Sequence, residues 1–243
     1  MSTSDLEHSH RPEDIASRLS LEPKASYLRD WIYGGIDGAV TTFAIVAGAV
    51  GATLHTNIIL IMGIANLLAA GFSMAAANYT GSKSEKEDYD RLKDIEDKHI
   101  TLVPEGEREE IRQIFKAKGF SGEDLESLVQ LVTSNRATWI ETMMQAEYGL
   151  YDSNRSPVKA AIYTFLSFLL FGLIPLAPFI LLFNESATLA TALTAIAFFA
   201  IGSARSRWSQ RNWFVCGLET TAIGMLAAGI AYLAGNGLQS LLA

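Results

Sequence analysis

Side chains that can ligate metal recur at helical spacing in the middle of the chain. Residues three or four positions apart share one face of a helix. Three such groups are present: Glu96 with His99, Glu107 with Glu110, and Met143 and Met144 with Glu147. Carboxylates suit hard or borderline divalent cations, imidazole suits zinc and iron, and thioether sulfur is soft. The mixture favours a borderline ion such as Fe(II). The alternative is a solvated acidic face in which the two methionines fill a core.

Polar or sulfur-containing side chains also occur at membrane depth, in or beside runs that carry no other charge. They are Asp30, Asp37 and Thr41 in the first run, Met74 and Asn78 in the second, and Glu219 in the last. Asp30, Asp37 and Thr41 follow one another at whole-turn spacing on one helical face. An ionisable group inside a membrane is costly and marks a function by default. The set predicts a cation path or, equally well, a proton relay. For Asn66 and Asn78, hydrogen bonding between helices is the alternative.

Five apolar segments must position these polar residues. A bilayer core needs about 20 apolar residues in helical form. The segments that meet this length are Trp31–Thr53, Ile58–Tyr79, Pro157–Phe183, Ala187–Ala204 and Trp213–Ala234. Buried helices of soluble proteins usually keep one polar face, which these segments lack. The sequence therefore predicts an all-α polytopic membrane protein with five transmembrane helices, the third kinked at Pro175 and Pro178.

The charges are concentrated between the second and third segments. Residues 84–150 contain 9 basic and 16 acidic side chains, and their net of −7 equals the net charge of the whole chain. Helices are predicted there at Ser84–Lys98, at Glu105–Lys118, from Ser121 onward and at Arg136–Tyr148. We therefore expect a cytosolic N-terminal arm at 1–26, transmembrane helices 1 and 2 at 27–81, a helical insert at 82–150, and transmembrane helices 3 to 5 at 151–243.

Several classes of function are excluded by these features. No basic face is available for nucleic acid, and the single Cys216 cannot build a disulfide framework. No Ser/His pair or His-Glu-x-x-His motif lies in an apolar segment. We therefore expect no enzyme, no catalytic residue and no catalytic cofactor.

Orientation follows from the basic residues. With five crossings, all 19 Lys and Arg fall on the side of the N-terminal arm and the insert. The positive-inside rule then makes that side cytosolic and puts the C-terminus on the opposite side. Residues 1–25 contain five acidic side chains and no apolar core of a signal peptide. We expect an integral membrane protein of a bacterial inner membrane, with an organelle membrane as the alternative.

The ordered motifs resemble the vacuolar iron transporter family. They are Tyr33-Gly-Gly-Ile-Asp37-Gly in the first segment, Gly71-Phe-Ser-Met74 in the second, and Met143-Met144-x-x-Glu147 after the acidic insert. The similarity covers about residues 27–238 and includes the five-segment layout. Asp-Gly alone is a weak signal, whereas the ordered combination is specific.

The resemblance implies a homodimer in the lipid bilayer that exports Fe(II), and often Mn(II), from the cytosol in exchange for protons. It implies that Asp37 and Met74 lie on the ion path between protomers. It also makes the insert a metal-collecting domain that can bind Zn(II) or Co(II) as well. By position its ligands are Glu96, Glu107, Glu110, Met143, Met144 and Glu147.

Two residues depart from the family pattern. His99 stands where the family usually has Glu, and this bears on metal preference and pH dependence because His titrates near neutrality. Asn78 also replaces a usual Glu, which leaves proton coupling to Asp37, Asp30 or Glu219. The leading hypothesis is a cation/proton antiporter, and the alternative is a membrane-anchored metal-binding or sensing protein without transport. The acids Asp37 and Glu219 favour transport, since an anchor needs no acid inside the membrane.

Overall fold

The computed structural model describes residues 9–20, 25–183, 185–208 and 210–242. Within these ranges all regular structure is helical. In chain order the helices are α1 (Pro12–Ser20), α2 (Leu28–Gly51), α3 (Thr56–Leu102), α4 (Pro104–Ala117), α5 (Gly122–Thr133), α6 (Arg136–Ala146), α7 (Pro157–Gly172), α8 (Ala177–Ile180), α9 (Ser186–Arg205) and α10 (Trp213–Leu242), with one 3-10 turn at Ser206–Trp208. Parts of the predicted N-terminal arm, residues 1–8 and 21–24, lie outside the described ranges.

Four of these helices, α2, α3, α9 and α10, are long and apolar enough to cross a membrane. The expected third span, Pro157–Phe183, is not one continuous helix. Helix α7 has 16 residues and ends at Gly172, and the four-residue α8 follows after a turn. Pro175 and Pro178 have no N–H to donate and crowd the preceding turn. They divide the segment instead of only kinking it.

Helix α3 corrects a second expectation. The sequence predicted that one helix ends near Tyr79 and another begins at Ser84, but α3 runs without a break over 47 residues. No proline lies within it, and the glycine at the junction, Gly81, costs only about 1 kcal/mol in a helix interior. Helix α3 is therefore about 70 Å long and joins an apolar half to a highly charged half.

Glycines bring α2 and α7 into backbone contact. A Cβ atom added at Gly34 would lie 2.4 Å from the carbonyl oxygen of Thr164, and one at Gly38 would lie 2.4 Å from that of Phe168. Small residues four apart allow such close approach in membrane proteins. Helix α2 also packs against α3, α9 and α10. It is therefore the central helix of the membrane part, and its position fixes the acids that it carries.

The charged half of α3 supports a second, separate core. Helices α4 and α6 begin and end within two residues of the predicted bounds, and α5 begins within one residue of its predicted start. Their buried apolar residues are Ile100, Ile111, Leu125, Val129, Trp139, Ile140, Met143 and Met144. Since Ile100 belongs to α3, the insert builds its core directly on the extension of a membrane helix.

We expect Gly38→Ala to destabilise the membrane part by about 1–3 kcal/mol, because the added methyl group overlaps the α7 backbone, which cannot move aside freely. The thermal unfolding temperature in detergent should fall. Gly229→Ala is the matched control, since nothing lies within 4 Å of a Cβ atom at that position of α10. Equal effects of the two substitutions would contradict the close packing of α2 on α7.

Candidate metal and transport site

Buried carboxylates of the insert meet between α3 and α4. Glu96 on α3 is only 1% exposed, and Glu107 on α4 is 5% exposed. The Tyr148 hydroxyl, just after α6, donates a hydrogen bond to Oε1 of Glu96 over 2.8 Å. Nδ1 of His99 lies 3.5 Å from Oε1 of Glu107. The structure thus brings Glu96, His99 and Glu107 into one cluster, which spacing along single helices could not establish.

The cluster retains unused acceptor atoms. Oε2 of Glu96 and Oε2 of Glu107 are buried and receive no hydrogen bond from the described residues. A buried acceptor without a partner is costly, and a bound cation would remove that cost. In the described part of the chain, however, no three acidic, His or Cys side chains already have metal-holding geometry. Binding therefore requires side-chain rotation.

Electrostatics tie the remaining acids to the same cluster. Burial, and then the negative charges of Glu110 and Glu96, raise the pKa of Glu107 to about 7. Burial, followed by the charges of Glu96 and Glu110, also raises the pKa of Glu147. Burial and the hydrogen bond to Glu96 raise the pKa of Tyr148. All four predicted carboxylates therefore influence one another at short range.

The two methionines occupy the position that the alternative interpretation predicted. Met143 and Met144 are completely buried and belong to the apolar core of the insert. Their backbone precedes Glu147 and Tyr148 by one turn. Their assignment as metal ligands stays a prediction. Their observed role is to pack the helix that ends just before Glu147, the last acid of the cluster.

A second group of polar side chains lies at the N-terminal end of α2. Asp30 is 2% exposed and lies in the first turn of that helix. One nitrogen of the Arg155 guanidinium, Nη2, lies 2.8 Å from Oδ1 and 2.7 Å from Oδ2 of Asp30. The amide Nδ2 of Asn78 donates to Oδ1 of Asp30 over 2.9 Å and to Oγ1 of Thr164 over 2.7 Å. This network joins α2, α3 and α7.

The network borders a cavity of about 210 Å³. Its lining residues are Arg29, Asp30, Tyr33, Met74, Ala77, Asn78 and Thr164. Of the predicted path residues, the structure brings Asp30, Met74 and Asn78 together here. A carboxylate, a thioether and an amide around one cavity match the donor classes that suit a borderline divalent ion.

Asp37 and Thr41 lie elsewhere on α2. Asp37 is seven residues beyond Asp30, about 10 Å farther along the helix, and is half-buried, but it does not line the cavity. The Thr41 hydroxyl donates to the backbone oxygen of Asp37 over 2.8 Å, so it is used within the helix. The amide nitrogen of Asn66 is buried and finds no hydrogen-bond acceptor among the described residues.

Glu219 is not brought to this group. Its carboxylate lies 2.7 Å from Nη2 of Arg205 and 3.6 Å from Nη1 of Arg211, at the connection between α9 and α10. The sequence predicted Glu219 for the transport path, and the structure places it in an ion-pair group with two arginines. Its assignment to the transport path stays a prediction.

Sequence reasoning missed three participants: Arg155, Thr164 and Tyr148. A buried Asp30 requires a counter-ion, and this could have directed attention to the basic residues beside the apolar segments. Arg155 lies 125 positions from Asp30, so no local pattern connects them. Tyr148 adjoins Glu147 and is the hydroxyl donor nearest to that acid in the sequence.

We expect the metal-free insert to lose stability as the pH rises. Glu107 has an ordinary pKa of 4.5, which folding raises to about 7. The folded state therefore holds this proton more tightly, and the resulting stabilisation is complete below the lower value and lost as the pH rises through the higher one. The loss should approach about 3 kcal/mol. Hydrogen exchange of residues 104–146 at about pH 5 and about pH 8 measures it.

Glu107→Gln tests the cause, because the amide has the same shape and no charge. Its exchange at the higher pH should be slower than that of the wild type, with a shallower pH dependence. Glu123→Gln, on the exposed surface of α5, is the control and should keep the wild-type slope. An unchanged slope in Glu107→Gln would assign the effect to other groups.

Comparisons with known proteins identify the family of the chain. The sequence profile of the VIT family matches residues 28–236. The chain is 31% identical over 220 residues to the vacuolar iron transporter of Plasmodium falciparum, covering 86% of this chain and 81% of that one. It is 32% identical over 228 residues to the one from Toxoplasma gondii, covering 88% and 75%. It is 29% identical over 238 residues to vacuolar iron transporter 1 of Arabidopsis thaliana, covering 90% and 95%. With its apolar helices and acidic helical insert, the chain belongs to the VIT family.

Proposed function

We propose that this protein exports divalent iron from the cytosol in exchange for protons, with Mn(II) as a second substrate. The observation that carries the proposal is that one helix holds both sites. Helix α3 presents Met74 and Asn78 to the membrane cavity and Glu96 and His99 to the insert cluster. The two sites lie about 27 Å apart along its axis. The relatives named above as iron transporters support the choice of ion.

The insert acts as the collecting site. Its net charge of −7 raises the local concentration of cations at the cytosolic surface. Glu96 and Glu107 each offer a buried oxygen without a hydrogen bond, and His99 and Glu147 border them. A cation that displaces the protons of this cluster gains oxygen and nitrogen donors together. Rotation of the Met143 and Met144 side chains would add a soft donor.

Asp37 and Met74 form the membrane step of the proposal. Among the acids assigned to the path, Asp30 is paired with Arg155 and Glu219 with two arginines. No basic side chain of the described ranges pairs with Asp37. Asp37 is thus the carboxylate free to exchange a cation for a proton, while the amide of Asn78 cannot carry a proton.

The proposed topology has five crossings and two protomers. Helices α7 and α8 together cover Pro157–Ile180 and complete the crossing that the two prolines divide. The membrane half of α3 exposes a row of large apolar residues, including Ile61, Leu68 and Phe72. A second copy covering this row would place two α2–α3 pairs side by side, as the family resemblance implies. The N-terminus and insert face the cytosol, where the basic residues lie.

The alternative function is metal binding or sensing without transport. One observation favours it: in this conformation Asp30 is already neutralised by Arg155, so the cavity offers no free carboxylate to an entering cation. Metal binding to the purified protein combined with no flux in vesicles would identify that function.

Flux measured in proteoliposomes tests the transport proposal. Vesicles should contain a reporter of Fe(II) or Mn(II) and carry a proton gradient. Asp37→Asn should reduce the flux at least about tenfold, because the membrane step loses its exchangeable carboxylate. Glu219→Gln should keep most of the flux, since its carboxylate is held by Arg205 and Arg211. Wild-type flux in Asp37→Asn would overturn the mechanism.

The collecting role makes a separate prediction. The double substitution Glu96→Gln and Glu107→Gln should raise the half-saturating metal concentration several-fold and leave the flux at saturating metal nearly unchanged, because only pre-loading is lost. Calorimetry should show weaker Mn(II) binding by the same variant. Glu123→Gln, an acidic residue outside the cluster, is the matched control. A loss confined to the saturated flux would assign these carboxylates to a later step.

A further inference from the structure

Arg155 forms an ion pair with Asp30, the carboxylate at the mouth of the membrane cavity. Its Nη2 atom contacts both oxygens of Asp30, which also lines the cavity. Arg29 lines the same cavity, so two guanidinium groups stand beside one buried carboxylate. A divalent cation that enters here meets a net positive charge at short range. In this conformation the carboxylate that lines the cavity is already paired with a cation of the chain itself.

The ion pair is held by one nitrogen and is not a full fork. Arginine binds carboxylates best through two parallel N–H bonds from two nitrogens. Here Nη2 alone serves both oxygens, and the buried Nε has no hydrogen-bond partner among the described residues. The guanidinium also lies over the ring of Tyr27, 5.8 Å from its centroid. This geometry holds Arg155 in place and leaves part of its bonding capacity unused.

The segment that carries Arg155 begins at the metal-collecting cluster. Helix α6 ends at Ala146 and α7 begins at Pro157. Glu147, whose charge interacts with Glu96 and Glu110, is the first residue of this connection. Eight positions separate it from Arg155, a reach of at most about 29 Å. A change at the cluster therefore has a short covalent route to the mouth of the cavity.

We propose that Arg155 is a tethered cation that closes the cytosolic mouth by competing with the substrate ion for Asp30, and that metal loading of the insert withdraws it. This inference rests on the proposed transport function. Loading draws Glu147 towards the metal, the connection shifts, and Asp30 becomes available to a cation. Arg155 acts through Asp30 and is a positioning residue. The device would prevent other cations from entering while the insert is empty.

Cysteine labelling tests the latch without any need for transport. The purified full-length protein carries Cys216→Ala, which removes the buried native thiol, and Met74→Cys as a reporter in the cavity. The rate of modification by a small cationic thiol reagent is measured with and without Mn(II). Arg155→Gln should raise the metal-free rate about tenfold, because the mouth loses one positive charge. Arg155→Lys should stay near the unsubstituted rate.

Dependence on the insert separates a latch from a merely structural ion pair. At a Mn(II) concentration that loads the unsubstituted cluster and not the weakened one, Mn(II) should speed labelling of the protein that retains Arg155, and should have little effect once Glu96→Gln and Glu107→Gln are added. Where Arg155→Gln fails to fold, Arg155→Gln with Asp30→Asn removes both charges and leaves neither buried and unpaired. Fast metal-free labelling of that double variant supports the latch. An unchanged rate in a folded variant, or a metal response that survives loss of the cluster, overturns it.

Failure of the latch and failure of the proposed function give different results. If wild-type vesicles show no metal flux, transport is wrong, while the labelling rates still report on the mouth. If flux is present, the cluster variant (Glu96→Gln with Glu107→Gln) is compared with the same variant carrying Arg155→Gln. Recovery of flux at low metal when Arg155→Gln is added supports the latch. If flux is present and that combination stays as slow as the cluster variant alone, the latch is overturned.

Discussion

A carboxylate that leaves water must obtain a proton, a cation or several hydrogen-bond donors, and this requirement organises both functional regions. Asp30 obtains the Arg155 guanidinium and the Asn78 amide. Glu96 obtains the Tyr148 hydroxyl. Glu107 has His99 as its one basic neighbour among the described residues and retains its proton up to about neutral pH, because burial and the nearby acids raise its pKa to about 7. The chain satisfies the first of these acids fully and the other two only in part.

The difference between the two regions gives the proposed cycle its order. The carboxylate cluster of the insert has only His99 as a basic partner among the described residues, so it can accept a cation first. The mouth of the membrane cavity already contains a cation that belongs to the chain. Binding at one region and release at the other can therefore alternate, because the connection from Glu147 to Arg155 links them covalently. The half-buried Asp37 lies beyond the mouth, where a proton and a metal ion could exchange.

The sequence predicted the helices well where the signal was local. Apolar runs and charged periodic segments placed α2, α9, α4 and α6 and the start of α5 within a few residues, whereas α10 continues eight residues past its predicted end at Ala234. It failed where a boundary depended on context: α3 continues through Tyr79–Ser84 because nothing there breaks it, and two prolines divide the third span. The i, i+3 pairs Glu96–His99 and Glu107–Glu110 could be recognised from spacing, but their meeting across two helices could not. The Asp30–Arg155 pair joins residues 125 positions apart, and no pattern in the sequence predicts it.

The unbroken length of α3 also has a mechanical meaning. A helix anchored in the membrane at one end and built into the insert at the other behaves as a lever. Over about 70 Å, a tilt of about 5° at the membrane end displaces the far end by about 6 Å. The reverse also holds: a rearrangement of several ångströms around a metal ion in the insert tilts α3 by a small angle beside Met74. Ions bound far outside the bilayer could thus adjust the helix that lines the path within it.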